Sequence, residues 1–227
     1  MKHFYAVFFI LFFFLKHSLA FASLGFCVYN GPGLTVADPA DSIALENDFV
    51  RVWRNGTGCT AAHTVDFETR LIVALNKVKI KSSRGKIKLN RGEIAVFLSD
   101  ESYVTPTGEF FEVAFKTNHP QVKGPDKWIE PFKNKVIYEN QQFRVFEERL
   151  APGDTRELHS HAQRVVVRLN NVQLTDPRYF EKGTPGGGIQ VPNTVKFAEP
   201  MEHVVRNLSK IPLFNIVIEF KVQQNNL

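Results

Sequence analysis

The sequence predicts an all-β protein made of two similar lobes, and two observations lead to that prediction. Short stretches rich in Val, Ile and Phe recur between Gly, Pro and Asn turns, whereas a helical period is almost absent. The chain also repeats itself at an offset of 93 to 94 residues, which suits a duplicated β domain and is too long for a solenoid repeat. Strands at this spacing are typical of a sandwich, a jelly roll or a barrel.

The composition is that of an ordinary folded protein. The 227 residues are 44% hydrophobic and 22% charged, which excludes a disordered chain, a collagen and a coiled coil. A chain of this length can bury enough apolar surface to fold without a metal or a disulfide. Any metal that the protein binds should therefore serve function rather than folding.

Residues 1–22 predict a secretory signal peptide. An apolar run, Phe4 to Leu15, follows Lys2, and the sequence Ala20-Phe21-Ala22 offers small residues for cleavage before Ser23. The run is shorter than the roughly 20 residues that a membrane-spanning helix needs, so we expect no stable membrane insertion after cleavage. The expected location is the periplasm or the exterior of the cell, with an uncleaved anchor as the alternative.

Export leads to two further expectations. Without residues 1–22 the chain has 26 basic and 23 acidic side chains, a net charge of +3 that is too mild to indicate a nucleic-acid partner.

Both cysteines, Cys27 and Cys59, remain in the exported chain. An even cysteine count in an oxidising compartment favours a disulfide between them, and two unpaired thiols are the alternative.

The internal repeat predicts the domain boundaries. Residues 46–53 match residues 139–146, and residues 70–78 match residues 164–172. We therefore predict an N-terminal arm and first lobe in residues 23–120, a linker in residues 121–135 and a second lobe in residues 136–227.

The two lobes differ where chemistry could occur. In the second lobe, Gly153 is followed six residues later by His159-Ser160-His161, and the period of two in a strand places both imidazoles on one face. A third histidine, His203, lies far along the chain and is followed by Asn207 and then by an apolar strand.

These residues resemble a known family. The pattern Gly-x5-His-x-His from Gly153 to His161 resembles the first cupin motif, and His203-x3-Asn207 resembles the second. The likeness extends over the whole second lobe, which is similar to small bacterial single-domain cupins. Because the lobe is repeated, the chain as a whole resembles a bicupin with a degenerate first lobe.

The resemblance implies a fold and a metal site. The fold would be two tandem jelly-roll barrels, each a double-stranded β-helix. In the second barrel His159, His161 and His203 would point at one divalent ion, with Fe, Zn, Ni, Cu and Mn as candidates. The family's fourth ligand, a Glu, would fall at Val165 or Val166, so the sequence departs from the family pattern there.

Two further residues are candidates for a catalytic role. Glu157 and Gln163 lie two residues before and two after the histidine pair, so a regular strand would place them on the same face. Either could orient a ligand, and Glu157 could act as a general base or as a substitute ligand. The alternatives are a solvated charge at the rim for Glu157 and hydrogen bonding inside the barrel for Gln163.

The first lobe lacks the histidine motif. At the offset of 94 the two ligands of the first motif map to Val65 and Phe67, whereas His63 maps to Glu157. We expect a packed first barrel that serves structure or a dimer contact.

Arg70 and Arg164 occupy equivalent places in the two lobes, so we expect a salt bridge for each, with recognition of a substrate carboxylate as the alternative for Arg164.

The function that follows is an exported bicupin that binds one divalent metal and acts on a small anionic molecule, with a dioxygenase as one candidate activity. Two alternatives stay open: a periplasmic protein that binds or senses a ligand without catalysis, and a structural oligomerisation module. The expected partner is a small-molecule ligand or substrate, and a homodimer is left open.

Overall fold

The computed structural model describes residues 42–54, 67–131, 134–176 and 187–222, and all regular structure within these ranges is β. The strands that precede the predicted linker are β1 (Ser42–Glu46), β2 (Val50–Arg54), β3 (Phe67–Ala74), β4 (Val78–Ser82), β5 (Gly85–Leu89), β6 (Ile94–Phe97), β7 (Tyr103–Thr107) and β8 (Phe110–Lys116). The later strands are β9 (Lys135–Glu139), β10 (Phe143–Leu150), β11 (Thr155–His161), β12 (Arg164–Arg168), β13 (Gln173–Thr175), β14 (Gly187–Ile189), β15 (Thr194–Ala198), β16 (Met201–Asn207) and β17 (Leu213–Phe220). None of the ranges described contains a helix that is long and apolar enough to cross a membrane.

The sheet order shows the duplication that the sequence predicts. The first lobe has a five-stranded sheet in the order β1-β2-β8-β3-β6 and a smaller sheet, β5-β4-β7. The second lobe has a five-stranded sheet in the order β9-β10-β17-β12-β15 and a smaller sheet, β11-β16-β13-β14. The two five-stranded sheets therefore match strand for strand, and each lobe is an antiparallel sandwich of two sheets, as in a jelly roll.

Both faces of each five-stranded sheet are buried. Alternate residues of a strand point to opposite faces, and in β12 Val165 and Val167 pack into a core between the two lobes. Val166 faces the other way, into the second barrel. In the core between the lobes the ring of Phe115 from the first lobe stacks on Phe143 from the second, with centroids 4.1 Å apart and planes at 5°. The lobes are thus joined by packed apolar sheet faces.

The turn between β5 and β6 fixes the first lobe to the second. The guanidinium of Arg91 donates to the carbonyl oxygens of Leu75 in its own lobe and Leu169 in the other, and to Asn193 Oδ1 at 3.0 Å. Gly92 has φ of +81°, and a Cβ built on it would lie 2.3 Å from Cζ of Phe214. Only glycine fits this close approach without strain.

The interior of the first barrel is packed rather than open for chemistry. An apolar cluster fills it, including Ile72, Phe97 and Phe110. Arg70 Nη1 lies 2.8 Å from Glu112 Oε1, and both side chains are buried. The predicted salt bridge of Arg70 is therefore confirmed.

Candidate metal centre

A β-bulge in β11 sets the direction of the histidines. Arg156 is opposite Val205 of β16, and His159 is opposite His203. Between these two pairs, β11 therefore advances by three residues and β16 by two, which means that β11 contains one extra residue. After the bulge, the period of two places His159 and His161 on the inner face, as the sequence predicts. Both residues are buried.

The structure brings together the three histidines that the resemblance singles out. One ring nitrogen from each of His159, His161 and His203 lies within 4.8 Å of the others. The ring centroids of His159 and His203, which face each other across β11 and β16, are 4.4 Å apart. A set of three imidazole nitrogens at this spacing matches the donor requirement of a three-coordinate protein site for a divalent metal.

Two hydrogen bonds fix how these rings present their nitrogens. His159 Nδ1 lies 2.7 Å from the carbonyl oxygen of Glu157, and His161 Nδ1 lies 2.7 Å from Glu219 Oε2. A carbonyl oxygen only accepts, so Nδ1 of His159 carries the proton and Nε2 keeps its lone pair. The buried Nε2 atoms of His159 and His203 have no hydrogen-bond partner within the described ranges. A metal ion bound at Nε2 would satisfy both atoms.

Burial keeps the rings neutral. Desolvation, followed by the charge of Arg164, lowers the pKa of His161 to about 2. Desolvation and the two neighbouring imidazoles lower the pKa of His203 to about 3, and desolvation also lowers the pKa of His159. Neutral imidazole is the form that binds a metal, so all three donors are available at neutral pH without losing a proton.

The expectation that Glu157 shares the face of the histidines is wrong. The bulge lies between Arg156 and His159, so it changes the alternation by one residue and leaves Glu157 exposed on the outside. Its main-chain oxygen, not its carboxylate, contributes to the site by accepting the bond from His159. The structure therefore gives no support to Glu157 as a general base or ligand.

Gln163 is buried but is engaged elsewhere. Its Nε2 donates to Glu199 Oε2 at 2.9 Å, and its Oε1 accepts from the backbone nitrogen of Lys123 at 2.9 Å. These bonds attach the segment before β9 to the second barrel. They correspond to the structural alternative for Gln163, and its catalytic role stays a prediction that no contact here supports.

Val165 and Val166, where the resemblance would place a Glu ligand, are both buried among apolar side chains. Val165 packs between the lobes, and Val166 packs inside the barrel with Phe146 and Val217. The carboxyl group of Glu219 on β17 contacts the site in a different way, through Nδ1 of His161 rather than as a member of the metal-binding group. Burial raises the pKa of Glu219 to about 7, although Arg144 and Arg164 oppose that rise.

A second buried carboxylate, which the sequence analysis missed, lies on β10. Glu148 Oε1 is 3.3 Å from Arg156 Nη1, and Glu148 Oε2 accepts from Asn215 Nδ2 at 2.8 Å. Burial alone would raise the pKa of Glu148, but Arg156 and Asn215 outweigh it and hold the pKa below its usual value. Arg156 thus compensates the buried charge of Glu148 on the side of the barrel next to the histidines.

Arg164 makes a different set of contacts from its counterpart in the first lobe. Its Nη1 donates to the carbonyl oxygens of Ala162 at 3.2 Å and Glu199 at 3.0 Å. The salt bridge expected for Arg164 is therefore replaced by bonds to the main chain.

A cavity adjoins the histidine cluster. Its volume is about 370 Å3, within the range of about 300–1,000 Å3 that is usual for small-molecule sites. His161 and His203 form part of its wall, together with apolar residues such as Val166 and Val217 and the basic residues Arg164, Arg168 and Lys196. The arrangement can hold a metal on one side and a small molecule on the other.

Neither the models of known protein families nor the curated protein sequences match this chain. Solved structures do. A cupin domain from Bordetella pertussis is 25% identical over 44% of this chain and 97% of its own length, with a TM-score of 0.33. A cupin 2 conserved barrel domain protein from Leptotrichia buccalis is similar over 83% of this chain and 92% of its own length, with a TM-score of 0.53 and 10% identity. The chain has the cupin fold. With its two matching lobes it is a bicupin in architecture, and the three-histidine cluster lies in the second cupin barrel.

Proposed function

We propose that this bicupin binds one divalent metal ion through His159, His161 and His203 and acts on a small anionic molecule held in the adjoining cavity. The observation that carries the proposal is the pair of buried Nε2 atoms, in His159 and His203, that lack hydrogen-bond partners in the described part of the chain. An unsatisfied buried polar atom is costly, and a metal ion would satisfy both at once.

The residues around the cluster support this role. Glu219 and the carbonyl oxygen of Glu157 hold the rings of His161 and His159 with their Nε2 atoms toward the common centre. Phe146 is buried and lies parallel to the His161 ring, with centroids 6.2 Å apart and a 7° angle between planes, so the imidazole has an apolar neighbour on that side. When bound, Fe, Zn, Ni, Cu or Mn would supply Lewis-acid chemistry or, for a redox-active ion, chemistry with dioxygen.

The specific activity that we propose is that of a dioxygenase. The second candidate function is non-catalytic binding or sensing of a ligand. The second candidate is favoured by Val165 and Val166, the two positions at which the resemblance to cupins would place a carboxylate ligand. Oxygen uptake by the metal-loaded protein with thiols, diketones or polyphenols would support the enzyme. Ligand binding without uptake or product would support the binding protein.

Metal content tests the site itself. The purified protein should hold about one metal ion per chain, and His203→Ala should abolish metal binding while the fold persists, because two remaining imidazoles are too few for a tight site. His63→Ala is the matched control. His63 lies outside the described residues, and the repeat places it off the ligand positions, so its loss should leave the metal content unchanged. A protein that loses metal with His63→Ala but keeps it with His203→Ala would contradict the proposal.

Export and the disulfide are also proposals, since residues 1–22, Cys27 and Cys59 all lie outside the described residues. The intact mass of the exported protein should correspond to a chain that begins at Ser23. Thiol titration of the unfolded, unreduced protein should find no free thiol, and two free thiols would contradict the pairing.

A further inference from the structure

Three basic side chains lie on the inner face of the sheet opposite the histidines, beside the two strands that carry Glu148 and Glu219. Arg164 and Arg168 point into the second barrel from β12, on either side of Val166. Lys196 of β15 is paired directly opposite Val166, so it lies between the two arginines on the neighbouring strand. All three cations line the cavity.

Two of these cations have no side-chain partner among the described residues. The side chain of Arg164 is bonded to carbonyl oxygens, whereas the side chains of Arg168 and Lys196 have no hydrogen bond or ion pair within the described ranges. Arg168 Nε is buried without a partner there. Desolvation lowers the pKa of Arg168. Partial desolvation, followed by the charges of Arg168 and Arg164, lowers the pKa of Lys196, which remains exposed at the mouth of the cavity. Arg168 and Lys196 thus bring positive charge to the cavity wall without a direct contact to a described carboxylate.

The nearby carboxylates are engaged elsewhere. Glu148 is held by Arg156 and Asn215. Asp176, which also lines the cavity, accepts from the backbone nitrogen of Val204 at 3.3 Å through Oδ2. An anion from solution is therefore the natural partner for Arg168 and Lys196.

We propose that Arg168 and Lys196 form a subsite for the carboxylate of a small organic acid, whose other end extends toward His161 and His203. This inference rests on the proposed function, because it names the class of anion that the same cavity takes. Val166, Val205 and Val217 also line the cavity, and this apolar surface favours a ligand with an organic body. A bare inorganic anion would leave that apolar surface uncovered.

Calorimetric titration with three probes tests the subsite: benzoate, the neutral isostere benzamide and inorganic phosphate. Benzoate should bind. Benzamide should bind at least about tenfold more weakly, because it lacks the charge that strengthens the hydrogen bonds to Arg168 and Lys196. Phosphate should also bind at least about tenfold more weakly, because it has no apolar body to cover the valines of the cavity wall. Arg168→Gln should weaken benzoate at least about tenfold. Arg206→Gln is the control, since Arg206 is exposed and does not line the cavity.

The outcomes separate this subsite from the metal site when the titrations are run on both chelator-treated and metal-loaded protein. Benzoate binding that depends on Arg168 supports the subsite even in a protein that holds no metal, and in that case only the metal proposal fails. A metal-loaded protein that does not bind benzoate, or that binds benzamide or phosphate equally well, overturns the subsite and leaves the metal proposal standing. An equal loss in Arg206→Gln also overturns it. If Arg168→Gln does not show the native near-ultraviolet dichroism, Lys196→Met replaces it with the same expected loss.

Discussion

Replacing Glu219 by leucine should weaken metal binding about 10- to 100-fold while all three histidine ligands remain. Glu219 Oε2 lies 2.7 Å from His161 Nδ1, and the two side chains are only 1% and 2% exposed, so water cannot take over the bond. The loss corresponds to about 1.4–2.7 kcal/mol of metal-binding free energy. Glu219→Gln keeps an acceptor oxygen but not the charge, so its affinity should fall between those of the native protein and the leucine variant.

Competition between the protein and a chelator for Zn2+ measures this effect. Glu147→Gln is the matched control, because Glu147 is on the outer face of the same lobe and bonds Arg149 Nε at 2.9 Å rather than a histidine. If Glu219→Leu binds zinc within about threefold of the native protein, the orientation of His161 does not depend on Glu219 and the reasoning is refuted.

Two further predictions concern stability. Gly92→Ala should lower the free energy of unfolding by roughly 2–4 kcal/mol, because the new methyl group would lie 2.3 Å from Phe214 at a positive φ; an unchanged urea midpoint would contradict this. Arg156→Met should cost about 3–5 kcal/mol at pH 7, since it leaves the buried carboxylate of Glu148 without its cation. The native pKa of Glu148 is lowered, so the stability that its ionised form contributes is present above the usual pKa and is lost as the pH falls through the lowered value. In the variant, desolvation raises the pKa of Glu148 instead, so this group becomes neutral at acid pH. The difference in unfolding free energy between the two proteins, measured in urea, should therefore shrink at acid pH. An equal difference at pH 7 and pH 4 would argue against the ion pair.

The sequence was sufficient for features that depend on local periodicity. The alternation of a strand correctly placed His159 and His161 together, because both follow the bulge. It failed for Glu157, since the extra residue of a bulge cannot be counted from the alternation itself. The contact of Glu219 with His161 could not be predicted for another reason, since the two residues are 58 positions apart in the chain. The only local signal was a lone acidic residue in the apolar strand β17.

The same limit explains why one arginine of the repeat forms a salt bridge and the other does not. In the first lobe the partner of Arg70 is Glu112, which is paired opposite Ile72 on the neighbouring strand. The equivalent position in the second lobe, opposite Val166, is occupied by Val217. The repeat correctly identified the arginines as equivalent. The carboxylate directly opposite Arg164 on β17 belongs to Glu219, which bonds His161 instead.

The sheet that is buried on both faces makes the second barrel dependent on the first. Within β12 and β17 each residue that shapes the cavity has neighbours along the chain that pack between the lobes. Residues 135–222 expressed alone would expose that apolar face, including Phe143, Ile216 and Phe220, to water. The first barrel therefore acts like a partner subunit that is covalently linked to the second. Selection that maintains the histidine site would also act on the first lobe, although that lobe contains none of the three histidines.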